Sequence, residues 1–316
     1  METELFPFVQ VFGEKWMVSR PYHLSGVSRP ARCSRAELTG DPAMFQSNLL
    51  AGRRILVTGG GTGLPKTISR RLLELGAEVV IVGRQRSILD ETVQELSKVT
   101  GGKVTSHALD ISAGSSVDSV VGDIWARGPL DGLVNNADDN FISRTEDVSP
   151  DEFDTIANTV MHGTFYVTSA VGRRWIANGR KGSVVSIVAT YVWTGSAFVT
   201  PSSMSRAGVA AMTQGLAVEW GPKGIRVNAM ALGTGGGSIE TDAIPMRRNS
   251  EPGELANMAV FLLSDQCAYL TGEVIAIDGG QWLNGAGTFT RHANMADEDW
   301  KALRKQATRG SVEKPP

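Results

Sequence analysis

Residues 54–66 read RILVTGGGTGLPK, and the fold turns on the join at Thr58. Arg54–Thr58 is a short, almost wholly apolar run, as a strand buried on both faces requires. The next five residues contain four glycines, and a helical pattern is established by Ser69–Leu75. A glycine-rich turn between a first strand and a first helix lets backbone N–H groups approach a pyrophosphate at the helix N-terminus. The strand before it and the helix after it make this signal specific, where an isolated glycine cluster would be weak.

The same rhythm runs outward from this join. Glu78–Val82, Lys103–Ala108, Gly132–Asn135, Gly182–Ile187, Arg226–Ala231 and Val274–Ile277 are further short runs rich in Val and Ile. Between them lie the helical stretches Arg86–Val99 and Ser115–Ala126, and a longer one opened by Ser149-Pro150-Asp151-Glu152. That opening is a capping box with Pro at the first helical position. Strand–helix alternation on this scale predicts a seven-stranded, doubly wound parallel α/β sheet with helices on both faces. Residues 48–285 are expected to form this single domain, and 286–316 a C-terminal tail with a short helix. Residues 1–47 show neither period and scatter four prolines among isolated aromatics, so a poorly ordered extension is expected. From Lys15 to Arg35 that extension has five basic residues and no acidic one, which resembles a transit peptide. Glu2, Glu4 and Glu14 oppose that reading and favour an over-called start upstream of Met44.

Composition narrows the function classes. A net charge of −2 gives no reason to expect nucleic acid or an anionic membrane as partner. Two cysteines cannot build a disulfide framework, which fits a reducing compartment. No apolar run approaches the roughly 20 residues needed to span a bilayer. A soluble intracellular protein is expected, cytoplasmic, with mitochondrial as the alternative.

A dinucleotide site follows from the strand ends. Thr58, Gly59, Gly61, Thr62, Gly63 and Leu64 form the phosphate turn. Pro65 stands where a third glycine would allow close helix–strand packing, although Pro is tolerated in a first helical turn. The second strand ends Gly83-Arg84-Gln85-Arg86 with no acid to bond a ribose 2′-hydroxyl. Arg84 suits a 2′-phosphate instead, with Lys66 adding charge nearby, so NADP(H) is the expected cofactor. No set of residues suggests a metal.

With these motifs in order over Gly52–Gly280, the chain resembles the short-chain dehydrogenase/reductase family, whose fold is of the Rossmann type. The turn matches its Thr-Gly-x-x-x-Gly pattern, Asp110-Ile111 its adenine-contacting pair, and Asn135-Asn136-Ala137 the start of its Asn-Asn-Ala-Gly motif. Asp138-Asp139 then depart from the small residues usual there, and two carboxylates would repel a phosphate-bearing cofactor unless they point to solvent. A finer resemblance, to 2,4-dienoyl-CoA reductases, rests on several stretches. These are Asn140-Phe141, His162-Gly163-Thr164-Phe165, Thr194–Val199, Pro201-Ser202 and Glu254-Leu255-Ala256-Asn257.

The resemblance also sets out what the catalytic helix should hold. Ordinary members open it with Tyr-x-x-x-Lys and keep a Ser upstream; here those places are Ser202, Arg206 and Ala189. In the dienoyl-CoA reductase branch the tyrosine place is a serine, matched by Ser202, and the working tyrosine comes from the preceding loop, matched by Tyr191. His162 occupies the place of that branch's catalytic asparagine and can donate from a ring nitrogen. Val160 stands where ordinary members keep theirs. Reduction of a dienoyl thioester gathers negative charge on its carbonyl oxygen, so the site needs donors aimed there. Tyr191 and His162 are the expected donors, with Ser202 and Arg206 beside the cofactor. Arg206 keeps the lysine's charge but is larger and planar, so cofactor binding is expected to persist with a misplaced charge.

Two function classes follow. The first is an NADPH-dependent dienoyl- or enoyl-CoA reductase of β-oxidation, acting on an acyl-CoA. The second is a catalytically impaired homologue that keeps the fold. Pro65, Asp138-Asp139, Arg206 and a short glycine-rich segment at 232–238 in place of a long lid favour the second. A general carbonyl reductase comes third, since Ser202 and Ala189 replace its acid and its donor. The resemblance further implies a homo-oligomer, a tetramer.

Overall fold

The computed structural model describes residues 45–136, 140–233, 241–286, 296–299 and 301. Residues 1–44 of the extension expected over 1–47 lie outside the described residues, as do Ala137, Asp138, Asp139, the segment 234–240 and most of the tail expected over 286–316. Seven strands form one sheet in the order β3-β2-β1-β4-β5-β6-β7, and every pairing is parallel. They are β1 (Arg54–Thr58), β2 (Glu78–Gly83), β3 (Val104–Ala108), β4 (Gly132–Asn135), β5 (Gly182–Ala189), β6 (Ile225–Leu232) and β7 (Val274–Ile277). The doubly wound α/β sheet anticipated from the sequence is therefore the fold.

Alternation along β1 explains why continuous apolarity was needed. Ile55 and Val57 face one core with Ile68 and Leu72 of α1 (Gly63–Glu74). Leu56 faces the other, with Val117 and Val121 of α3 (Gly114–Ala126). The first core also takes Leu89 and Leu96 from α2 (Arg86–Thr100). All of these are at least nine-tenths buried, and both faces of the sheet are covered by helices, as a parallel sheet requires. Phe45 and Leu50 already pack into the first core.

The capping box predicted at Ser149 is present: Ser149 Oγ accepts from Glu152 N, and Glu152 Oε2 accepts from Ser149 N at 2.8 Å. It starts α4 (Pro150–Ile156), which passes through one π-helical stretch, Ala157–His162, into α5 (Gly163–Ala177). A one-turn helix α6 (Tyr191–Thr194) then leads to α7 (Thr200–Trp220). After β6 come α8 (Pro252–Leu263), β7 and a last short helix α9 (Gln281–Ala286). β1 pairs with β2 on one side and β4 on the other, so strand order reverses there. Beyond the carboxyl ends of such a reversal lies the crevice where open α/β sheets bind ligands.

Among the described residues, no helix is long and apolar enough to cross a membrane, and no cluster of His, Cys, Asp or Glu could hold a metal ion.

Candidate active site

A cavity of about 1360 Å³ occupies that crevice. It exceeds the roughly 300–1,000 Å³ of an ordinary ligand pocket, leaving room for two molecules side by side. One end is walled by the glycine turn and by the end of β2; the other by α6, Phe198, Arg206 and the segment 244–250.

The turn has the form of a phosphate cradle. Gly59 has φ +68°, in the left-handed region, and a Cβ built there would lie 2.7 Å from the carbonyl oxygen of Asn136. Gly60 is equally crowded, its Cβ position falling 2.6 Å from Ile81. Only glycine lets this backbone pass so close to β4 and β2 while its outer side stays open to the cavity. Thr62 precedes α1, whose N-terminus has no acidic residue in its first turn to compete with an anion. Pro65 is accommodated within that turn, where its missing N–H costs no helical bond, and its carbonyl accepts from Ser69 Oγ at 2.8 Å. A nicotinamide dinucleotide fits the donors and the space present here.

The other expected cofactor residues divide into two groups. Gly59, Gly61, Thr62, Gly63, Leu64, Arg84 and Arg206 line the cavity. Thr58, Asn135, Asp110 and Ile111 do not, and three of them bond to protein instead. Thr58 Oγ1 accepts from Asn136 N at 2.9 Å, tying β1 to the end of β4. Asn135 Nδ2 donates to Thr168 and Ser186, while its buried Oδ1 has no partner among the described residues. Asp110 accepts from the hydroxyl and backbone N–H of Ser112; these bonds, with the charge of Arg84, hold its carboxyl below the usual carboxylate range. Arg84 is exposed on the wall. The neighbouring cations expected to help it are tied up elsewhere: Lys66 pairs with Glu95 at 2.6 Å and Arg86 with Asp90 at 3.3 Å.

At the far end, three of the four expected catalytic residues meet. Tyr191 Oη lies 3.1 Å from Ser202 Oγ, and Arg206 Nε donates to the same Ser202 oxygen at 3.2 Å. One helical turn separates Ser202 from Arg206 on α7, which puts both on the face beneath α6. Ser202 is 0% exposed and Arg206 6%, so Arg206 is no solvated helix arginine. Its Nη1 also donates to Ile187 O at 3.4 Å, which spans from α7 to β5. An arginine has donors only, so the serine oxygen must accept from it. The serine oxygen keeps a second lone pair as well as its one hydrogen, so either hydroxyl can donate in the Tyr191–Ser202 bond; when Ser202 donates, the phenol hydrogen is free to point into the cavity.

His162 does not join this group. It ends the π-helical stretch, its Nδ1 lies 2.8 Å from Asn158 Oδ1, and its ring lies 6.2 Å from that of Tyr166. The cavity wall does not include it.

Sequence reasoning missed two features of this end. Phe198 is 56% exposed on the cavity wall with φ +67°, a left-handed conformation that is strained for a residue bearing a Cβ. Its carbonyl accepts from Ser143 N at 2.9 Å, and with Ile142 and Met246 it makes the mouth apolar. Gly195, three residues earlier, hints at a turn, but nothing local marks Phe198 for positive φ. The second is the bidentate pair Arg248–Glu254, at 2.7 and 2.6 Å, on the same wall.

Residues 60–281 match the family described as enoyl-(acyl carrier protein) reductase. A probable 2,4-dienoyl-CoA reductase of Bacillus subtilis is 37% identical over 248 residues, covering 73% of this chain and 97% of that protein. A short-chain dehydrogenase from Bacillus anthracis has a crystal structure with a TM-score of 0.68 and 38% identity. It covers 72% of this chain and 96% of its own. A gluconate 5-dehydrogenase from Burkholderia cenocepacia, solved in complex with NADP and tartrate, superposes with a TM-score of 0.70 at 26% identity. That match covers 74% of this chain and 97% of the other.

Proposed function

This chain belongs to the short-chain dehydrogenase/reductase family of oxidoreductases, and on that footing we propose that it is an NADPH-dependent reductase of 2,4-dienoyl-CoA thioesters. The observation that carries this reading is the chain of hydrogen bonds from Arg206 through Ser202 to Tyr191. A bound NADPH supplies the hydride; everything else falls to the protein's own groups.

Reduction of a conjugated dienoyl thioester places negative charge on the carbonyl oxygen before a proton is added next to it. Tyr191 stands at the cavity wall, and with Ser202 as the donor in their shared bond its phenol hydrogen would meet that oxygen. Behind it, the buried guanidinium of Arg206 puts a permanent positive charge two hydrogen bonds away. In a site sheltered from water such a charge favours the oxyanion far more than it would in bulk solvent. Ser202 is the joint between them: it is fully buried, and on this reading it donates to Tyr191 and so turns the phenol hydrogen toward the cavity. An arginine can therefore fill the lysine's place electrostatically. Ile142, Phe198 and Met246 offer the acyl portion an apolar mouth. The preference for the phosphorylated dinucleotide rests on Arg84 and on the lack of any carboxylate at the tip of β2.

The test has two stages. NADPH binding is followed by its fluorescence, then its oxidation with 2,4-hexadienoyl-CoA, for wild type and Tyr191→Phe. Binding with turnover that Tyr191→Phe abolishes is the expected result. Binding without turnover removes the reductase and leaves the impaired homologue. Turnover untouched by Tyr191→Phe removes that residue from the reaction.

A further inference from the structure

Tyr191 is carried by an element that cannot hold itself in place. α6 has only four residues, none of them buried, and a single helical turn is far too short to be stable alone. Its backbone is tied at the start by Thr190 N donating to Leu232 O at 2.9 Å, and at the end by Gly195 N donating to Tyr191 O at 2.8 Å. Of its side chains, Tyr191 reaches inward to Ser202, and Val192 packs against Val188, Val209, Ala229 and Ala231. On the outer side Trp193 meets Trp282 of α9, with ring centroids 5.1 Å apart and planes inclined at 42°. Trp193 is 43% exposed, so this ring contact, rather than burial in the core, is what holds it.

Trp282 is well anchored for such a task. The Asp278 carboxylate that ends β7 accepts from Gly280 N at 2.8 Å and from Trp282 N at 2.7 Å. Gly279 O accepts from Met246 N at 3.3 Å, which fastens the same turn to the cavity wall. A line of contacts thus runs from β7 through Asp278 and Trp282 to Trp193 and the helix bearing Tyr191.

We propose that Trp282, acting through Trp193, is a positioning residue that fixes the orientation of Tyr191. This rests on the donor role given to Tyr191 above. Aromatic pairs at this spacing attract each other beyond the area they bury, which biases the pose of a single turn. A donor shifted by about 1 Å can cost up to about a hundredfold in rate.

The test uses the full chain and the variants Trp282→Ala, Trp193→Ala, the double variant and Trp282→Phe, with two readouts. In turnover, Trp282→Ala and Trp193→Ala should each lower kcat by about tenfold and leave the KM for NADPH unchanged. The double variant should be no worse than either alone, and Trp282→Phe should restore most of the rate. In hydrogen exchange, the amides of residues 190–195 should exchange faster in Trp282→Ala while those of β5 do not. Unchanged exchange at 190–195 overturns the proposal whatever the turnover shows, and so does an additive double variant. Absence of wild-type turnover, by contrast, strikes the reductase reading, and exchange still decides the role of Trp282. If Trp282→Ala fails to fold, Trp193→Ala carries the same two readouts from the exposed partner.

Discussion

Replacing Gly59 by alanine separates two costs that a glycine turn usually combines. The first is conformational: at φ +68° a residue with a Cβ loses about 1–2 kcal/mol relative to glycine. The second is steric, because the new Cβ would lie 2.7 Å from Asn136 O, and that partner is backbone pinned by the hydrogen bond from Asn136 N to Thr58 Oγ1. Neither side can yield without disturbing the β1–β4 join. Gly52 supplies the control, with φ +75° and nothing within 4 Å of its Cβ position. Gly52→Ala should therefore show the conformational cost alone, about 1–2 kcal/mol in a urea melt, with NADPH binding intact. Gly59→Ala should lose clearly more stability, since overpacking adds about 1–3 kcal/mol. It should also weaken NADPH binding, read by nucleotide fluorescence on the folded protein. Equal losses of stability in the two variants would refute the crowding argument, and unchanged NADPH affinity in Gly59→Ala would remove the turn from the cofactor site.

Two further outcomes follow from charges on the cavity wall. Arg84→Ala should reduce the preference for NADPH over NADH by about ten- to a hundredfold, the worth of one charge-assisted hydrogen bond of about 1.5–3 kcal/mol. Measured dissociation constants for both nucleotides check this, and an unchanged ratio would assign the 2′-phosphate to another residue. Glu254 is held down to about 2, from an ordinary 4.5, first by its hydrogen bonds from Arg248 and then by the backbone N–H of Glu251. A carboxylate whose pKa is lower folded than unfolded contributes stability fully present above its unfolded value and lost as pH falls through the folded one. Acid melts of Glu254→Gln should therefore lose stability less steeply than wild type between about pH 4.5 and pH 2. Parallel curves would show that the pair adds nothing to the fold.

The parts of this protein legible from sequence are those whose cause is local or periodic. Arg54–Thr58 needed apolar residues on both faces because two cores press on it, and the run of Ile55, Leu56 and Val57 states that directly. The capping box at Ser149 is likewise a contract among residues three apart, and it formed as read. What escaped notice depends on the chain's return from far away. Lys66 was expected to add charge beside the phosphate turn, yet Glu95 sits across on α2 and pairs with it. His162 fell in the right place along the chain, but a π-helical stretch changes the direction of the side chains at its end, and Asn158 one turn earlier takes its Nδ1. Trp193 and Trp282 lie 89 positions apart, and no periodicity could have paired them.

The same distinction bears on Arg206. Read along the chain, an arginine in the place of a lysine is a flaw, because the family's residue reaches hydroxyls as a slender, mobile ammonium. In the structure the guanidinium stands on the cavity wall and also bonds within the protein. It lies along α7, and one turn back its Nε meets the hydroxyl of Ser202, close to the helix, where a tyrosine would carry its own at the far end of a ring. Serine at 202 and arginine at 206 thus fit each other: the small side chain leaves room for the planar group, and the planar group gives the small one a fixed donor. The phenol displaced from 202 returns from α6 as Tyr191, on the far side of the same oxygen. In the resembled branch a serine in that place keeps company with a lysine, so arginine at 206 is the departure here, and it is one that the structure accommodates. A lysine at 206 keeps a donor but not the planar guanidinium, so Arg206→Lys checks whether the direction given to Tyr191 depends on that geometry, and unchanged turnover would show that it does not.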